Sequence, residues 1–382
     1  MPGKVGRLLA LAAVCSVVAG SAVAQDGDGE KDRERLRQRV NEGVVRLIGG
    51  ELGSTSLRLA DDLATVLDAS SRLRILPIIG RGAVQNVTDI LFLQGIDLCI
   101  VQEDVLDYVE RNRIHAGIAD KLQYITKLHN EELHLLAGPE IRRIADLAGR
   151  KVGVGAEGGG SQVTATTTFE ALEIRAEPVF FDHDLALEKL KGGEIAAIAY
   201  VSGKPAPYFR EVPPEAGLHF VSVPNSPKLL ATYAPAQLRH ADYPQLIGEG
   251  TVIETLAVGA VLAVYRWPPG NDRFHRTERF VELFFESFAE FLKPPRHPKW
   301  QEVNLAATVP GWTRAPAAQA WLGRRALAGA AESEDPGVRA AYDAFLQYLK
   351  DQSPEAGAEP RSRRAFPTFP EDDGARRRAP AR

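Results

Sequence analysis

The sequence predicts an α/β chain of two lobes, each a mixed sheet flanked by helices, joined by two strands that cross from one lobe to the other. Three observations carry this. Residues 44–104 and 151–203 repeat one order of apolar runs and glycine turns. In both copies the first apolar run ends in a glycine-rich, hydroxyl-bearing turn that opens a helix. A late apolar run, 255–265, follows the second copy and supplies a return path to the first.

The N-terminus comes first. Lys4 and Arg7 precede an apolar stretch over 8–19, and Ala22-Val23-Ala24 has the small-x-small form of a cleavage site. Residues 1–24 therefore read as a signal peptide cleaved after Ala24, and the mature chain is expected to be periplasmic. The apolar stretch is too short to span a bilayer comfortably. Cys15 follows Val14 rather than a small residue, which disfavours lipidation. That leaves Cys99 alone on an apolar run, unable to form an internal disulfide and suited to core packing. Residues 25–42 are charged and poor in large apolar side chains, so they read as a flexible leader or a frayed helix. The chain of 382 residues has a formal net charge of −4, enough length for two cores and no charge excess that suggests nucleic acid.

The first copy begins with the strand Val44-Val45-Arg46-Leu47-Ile48, then the turn Gly49 to Ser56 and a helix over 57–67. A second strand (73–79), a helix (83–93) and a third strand (96–102) complete it. The second copy has a strand over 151–155, the turn Ala156 to Gln162 and a helix over 163–172, then strand 177–181, helix 184–191 and strand 195–201. Residues 132–137 form the strand leading from one copy to the other, and 218–223 close the second. The crossings are expected near Ala137 and near Gly259. Phe280, Phe284, Phe288 and Phe291 recur at helical spacing before Pro294-Pro295, which reads as a packing face. The expected organisation is lobe I over 43–136, lobe II over 137–256, and a return with C-terminal helices over 257–352. From 353 to 382 the Pro, Ala and charge content, including Arg376-Arg377-Arg378, predicts a disordered tail; contact of this basic tail with anionic lipid is the alternative.

A strand that ends at a helix start presents unpaired N–H groups and a partial positive charge. Two such turns facing each other would clamp a small anion. Ser54 and Thr55 on one side, and Gly160 and Ser161 on the other, are the candidate donors, with Gln102 and Ser202 at the ends of matching strands. Each hydroxyl also suits simple helix capping. Arg81, in Gly80-Arg81-Gly82-Ala83, could hold a carboxylate through two parallel bonds or be a surface arginine. Tyr200 and Tyr233 could wall the cleft or pack in the core.

The order and spacing of three segments resemble the TAXI-type solute receptors of tripartite ATP-independent periplasmic (TRAP) transporters, which are type II periplasmic binding proteins. They are Gly49-Gly50-Glu51-Leu52-Gly53-Ser54-Thr55-Ser56-Leu57, Gln94-Gly95-Ile96-Asp97-Leu98-Cys99-Ile100-Val101-Gln102-Glu103-Asp104, and the run from Ile141 through Asp146-Leu147-Ala148-Gly149-Arg150-Lys151-Val152-Gly153-Val154-Gly155 to Ser161. The resemblance thins toward residue 350. It implies a type II periplasmic-binding-protein-like fold and a receptor that hands a small-molecule carboxylate to TRAP membrane subunits. Glutamate, glutamine or a small dicarboxylate is the implied ligand class. Gly53, Ser54, Thr55, Arg81, Gly82, Gln102, Gly160, Ser161 and Ser202 are the expected ligand-binding residues. A monomer without cofactor, metal site or catalytic residues is expected. The sequence departs from the family pattern at Leu57 and Arg58, where an aromatic pair is usual, at Gly159, where serine is common, and at Arg81, where a small residue is.

Other functions fit less well. Gly153-Val154-Gly155-Ala156-Glu157-Gly158 has the G-x-G-x-x-G form of a dinucleotide site, but Asp182 lies farther on than the about 20 residues such sites use. His129 and His134 lack the i, i+4 spacing of a zinc protease and read as straddling a loop and the crossing strand. No G-x-S-x-G elbow is present. A secreted domain that senses a solute and signals through a membrane partner would use the same cleft.

Overall fold

The computed structural model describes residues 29–68, 73–210, 212–214, 217–332 and 335–352. The expected signal peptide over 1–24 and the expected tail over 353–382 lie outside the described residues. Residues up to Gly323 make one compact unit, and the residues from Arg324 make a second. The second unit contains the end of helix α11 (Pro316–Ala331) and helix α12 (Pro336–Gln352).

Residues 29–41 are helical (α1) and exposed throughout, Leu36 and Val40 included. The first copy then runs β1 (Val44–Ile48), α2 (Thr55–Asp68), β2 (Arg74–Ile78), α3 (Ala83–Phe92), β3 (Leu98–Gln102) and α4 (Val105–Arg111). Strand β4 (Leu122–Ala137) leads to the second copy: β5 (Lys151–Gly153), α5 (Gly160–Ala171), β6 (Glu177–Val179), α6 (His183–Lys191) and β7 (Ala197–Ser202). Short helices α7 (Pro207–Arg210) and α8 (Pro227–Leu230) and strands β8 (His219–Phe220) and β9 (Ala234–Arg239) lead into β10 (Val252–Tyr265).

The strand order, β2-β1-β3-β10-β4-β7-β5-β6, contains the same arrangement twice. In the first half, β1 is parallel to β2 and β3, and β10 lies antiparallel to β3. In the second, β5 is parallel to β6 and β7, and β4 lies antiparallel to β7. The chain thus has the mixed α/β, two-lobe form expected, and β4 and β10 are the two crossing strands.

The position of the first crossing differs from expectation. β4 pairs with β10 as far as Glu132 and with β7 from Glu132 onward. The handover is therefore at Glu132, not Ala137. His129 lies inside this strand rather than on a loop. The polar run Lys127 to Glu132 hides the strand from a hydrophobic reading because its charges have long-range partners.

Each half has two apolar layers, one on each face of its sheet. Strand alternation sends Leu47 into the cluster with Leu59, Leu63, Phe284 and Trp300, while its neighbour Ile48 joins Val87, Ile90 and Cys99 on the other face. Cys99 is fully buried, and burial pushes its thiol pKa far up, so it is an inert core residue. In α2, Leu59, Leu63 and Leu67 recur at i, i+4, i+8 and are wholly buried. Each contributes about 1.5–3 kcal/mol by leaving water. The aromatic stripe packs as expected but not as one helix: α9 (Asp272–Glu286) ends at Ser287, and α10 (Phe288–Phe291) carries on. Phe280, Phe284 and Phe291 are buried in the core.

Candidate functional site

The two glycine turns meet. Val84 N–H, in the first turn of α3, donates to Gly158 O at 2.9 Å. Gly82, with φ at 128°, lies so close to the opposite turn that a Cβ there would be 2.7 Å from Gly159 Cα. Gly160 is packed against the Gln102 amide, which occupies the space a side chain would need. The halves also meet through polar pairs. Arg111 reaches Glu170 at 3.4 Å, and His183 Nε2 lies 3.4 Å from Glu51 Oε2. Asp104 accepts from Thr164 Oγ1 and from Tyr233 OH, each at 2.9 Å. The structure is that of a closed clamp.

Between the turns lies a cavity of ≈ 60 Å³, walled by Gly50, Glu51, Ser54, Ser56, Gly82, Asn86, Gln102, Glu131, Gly160, Ser161 and Tyr200, with a few apolar neighbours. Of the residues expected from sequence, Ser54, Gly82, Gln102, Gly160 and Ser161 come together here. Gly53 and Thr55 do not; they line a different cavity on the far side of α2's first turn. Arg81 is exposed and lines neither cavity. Ser202 is buried beneath the wall and its hydroxyl has no partner among the described residues. Tyr200 is at the wall, while Tyr233 is buried against Asp104.

The hydroxyls already have structural work. Ser54 Oγ accepts from Leu57 N–H at 3.2 Å, capping α2. Ser161 Oγ accepts from the buried Val201 N–H at 2.9 Å, tying α5 to β7. Replacing Ser161 with alanine leaves that N–H unsatisfied. Ser161→Ala is therefore expected to lower unfolding free energy by about 1–3 kcal/mol, read from urea denaturation.

Glu51, Ser56, Asn86 and Glu131 were not legible as site residues. Glu131 is buried on β4, and its Oε1 accepts from Ser56 Oγ at 3.0 Å while its Oε2 accepts from Gln102 Nε2 at 2.8 Å. His129 Nε2 lies 3.3 Å from Oε1. Burial raises its pKa, but hydrogen bonding and charge from His129, with the bonds from Ser56 and Gln102, outweigh it and hold the carboxyl below its ordinary value. Asn86 Nδ2 donates to Gly49 O at 2.8 Å and to Ile100 O at 3.2 Å. These bonds fix the amide, and its buried Oδ1 has no partner among the described residues. The cavity thus offers acceptors at Asn86, Glu131 and Glu51, and no lysine or arginine lines it. Its donors are the unpaired N–H groups at the start of α5. Among the described residues no group of His, Cys, Asp and Glu is placed to hold a metal ion, and no helix is long and apolar enough to cross a membrane.

Asp104 makes the closed state sensitive to pH. Burial raises its pKa to about 6, against the hydrogen bonds from Tyr233 and Thr164 that lower it, with Glu103 adding to the rise. A carboxyl with a raised native pKa favours the native form at low pH, and that contribution is lost as pH rises through about 6. The shift corresponds to a few kcal/mol, on the order of 2–3. Glu131 acts with the opposite sign: its lowered pKa gives stability that is lost as pH falls. Asp104→Asn, which stays neutral at every pH, is expected to abolish the gain between pH 7 and 4.5, so the wild-type curve of unfolding free energy approaches the variant's on acidification. Parallel curves would show that Asp104 is not buried in solution.

A model of the NMT1-like family matches residues 49–279. Among solved structures, the chain is similar to the alkanesulfonate-binding protein SsuA from Xanthomonas axonopodis pv. citri bound to MOPS, with 13% identity, a TM-score of 0.42 and coverage of 81% of this chain and 93% of that one. It is similar to an ancestral arginine-binding protein bound to arginine, with 14% identity, a TM-score of 0.42 and coverage of 68% and 97%. It is also similar to a TctC solute binding protein from Polaromonas, with 14% identity, a TM-score of 0.42 and coverage of 80% and 98%.

Proposed function

The chain belongs to the NMT1-like family, and on that premise we propose that it is an exported solute receptor that captures a small amino-bearing carboxylate and delivers it to a TRAP-type membrane permease without covalent chemistry. The observation that carries the reading is the closed contact of two glycine turns over a cavity rich in fixed acceptors. An α-ammonium group would satisfy Asn86 Oδ1, which is otherwise costly to bury, and would add a charged donor beside Glu131. The carboxylate of the same ligand would take the N–H groups at the start of α5. A dicarboxylate would bring a second negative charge toward Glu131 and Glu51 in a cavity lined by no lysine or arginine, so the amino-acid class is favoured over the dicarboxylate class. Ser54, Gly82, Gln102, Gly160 and Ser161 are the proposed ligand-side residues carried from the sequence, joined by Asn86 and Glu131. Delivery to TRAP membrane subunits rests on the motif resemblance.

The test is a thermal-shift and calorimetric screen of protein lacking residues 1–24 against amino acids, dicarboxylates and keto acids. Amino acids are expected to raise the melting temperature, and Asn86→Ala to weaken the best of them roughly tenfold or more. Stabilisation by dicarboxylates alone, with no effect of Asn86→Ala, would refute the ligand class.

A further inference from the structure

Adjacent residues on β4 face opposite sides of the clamp. Glu131 faces the glycine turns; Glu132 accepts from Lys299 Nζ at 3.0 and 3.3 Å and from Lys204 N–H at 2.8 Å. The first turn of α2 divides the same way, with Ser54 and Ser56 on the clamp side and Thr55 behind. Behind the crossing strand lies a second cavity, of ≈ 320 Å³, lined by Gly53, Thr55, Arg58, Lys204, Arg210 and Lys299, with His297 and Glu302 at its edge. That volume is in the range of small-molecule sites.

Four cations converge here from three separate segments. Lys299 is buried and paired with Glu132 and, at 2.8 Å, with Glu302. Lys204 pairs with Asp242 at 3.2 Å. Arg58 and Arg210 pair with no carboxylate among the described residues, which leaves two guanidinium groups uncompensated at the cavity. His297 adds no positive charge at neutral pH: burial lowers its pKa, and the charges of His129, Arg58 and Lys299 lower it further against Asp62. The start of α2, a helix of 14 residues, forms part of the same wall through Gly53, Thr55 and Arg58. Arg58 and Thr55 belong to the first half of the fold, Lys204 and Arg210 to the second. Gly203 packs between them, within 3.0 Å of Thr55 Oγ1 and of Lys299 Cε were it to carry a Cβ.

We propose that this rear cavity is a second ligand site, which takes a small multiply charged oxyanion such as phosphate, and that the bound anion ties the two halves together. Guanidinium groups suit this ligand because their planar forks pair with oxyanions through two bonds at once. The anion relieves the repulsion among the converging cations and bridges the lobes, so its binding and closure of the front clamp favour each other.

The experiment is calorimetry and thermal shift with inorganic phosphate, against sodium chloride of matched ionic strength. Phosphate is expected to raise the melting temperature where chloride does not. The Arg58→Ala, Arg210→Ala double variant, which changes two exposed residues, is expected to weaken phosphate roughly tenfold or more. Asn86→Ala in the front cavity is expected to leave phosphate binding unchanged. Phosphate binding that survives the double variant, binding lost through Asn86→Ala alone, or a response no larger than that of chloride would each overturn the proposal. The same variants separate this site from the front one: a ligand sensitive to Asn86→Ala and indifferent to the double variant belongs in front.

Discussion

Asp62→Ala is expected to remove about 3–5 kcal/mol of stability, because two N–H groups lose their acceptor and a half-buried charge pair is broken. Asp62 lies on α2 and is buried. Its carboxylate accepts from Trp300 Nε1 at 2.9 Å, from His297 N–H at 2.8 Å and from Arg296 Nη1 at 3.3 Å. It is the one group that holds the 296–300 segment onto α2 by all three of these bonds. Trp300 is wholly buried, with ring centroids 4.5 Å from Phe291 and 5.9 Å from Phe284. Alanine would leave the indole N–H and the backbone N–H without acceptors in an apolar layer, and the two costs add to the lost charge pair. Urea denaturation measures the loss. Trp300→Phe keeps most of the packing and removes one donor, so Asp62→Ala should cost less in that background. Equal costs in both backgrounds would mean that the Trp300 bond contributes nothing to the effect.

The contrast between Asp62 and Ser54 shows what the sequence reveals. The doubled plan is legible because glycine turns punctuate apolar runs of strand and helix length, and those signals are local. The helix starts come out two or three residues late, at 57 and 163 instead of Thr55 and Gly160. Hydroxyl caps and glycines open these helices, and neither looks apolar. Five of the expected site residues meet at the front cavity because they sit at strand ends and helix starts, which the fold brings together in both halves. Glu131 and Asn86 are different. Their roles depend on pairing register, Glu131 with Ser56 75 residues away and Asn86 with Gly49 37 residues away. A charged residue inside a crossing strand reads as a loop until its partners are known. The same holds for Lys299, whose partner Glu132 lies 167 residues earlier. Gly53 and Thr55 adjoin Ser54 in the sequence, yet the entry into α2 places them on the opposite side.

Gly82→Ala is expected to hold the clamp open and to lower affinity for the front-cavity ligand by roughly 100-fold or more, since closure supplies the ligand's second set of contacts. Two effects act at this position and they can be separated. The first is local: at φ 128° an alanine is strained by about 1–3 kcal/mol in any state of the protein. The second exists only when the halves meet, because the added methyl would lie 2.7 Å from Gly159 Cα, 2.9 Å from Gly158 O and 3.0 Å from Gly159 N. All three are backbone atoms, so no side chain can swing aside, and the turns must separate. Separation breaks the Val84 N–H to Gly158 O bond. Gly117 provides a contact-free comparison: its φ of +65° and ψ of 33° lie in the left-handed region, which strains an alanine less than the conformation of Gly82 does, and a Cβ there meets nothing within 4 Å. Gly117→Ala should therefore destabilise the chain, though by less, while leaving ligand affinity and the radius of gyration unchanged. Gly82→Ala should enlarge the radius of gyration in small-angle scattering and remove hydrogen-exchange protection at Val84. If the two variants behave alike, the effect is strain alone and contact between the turns does not limit closure in solution. If Gly82→Ala alone opens the chain, the meeting of the glycine turns is what defines the closed form, and a residue without a side chain is required there because the opposite backbone occupies the space.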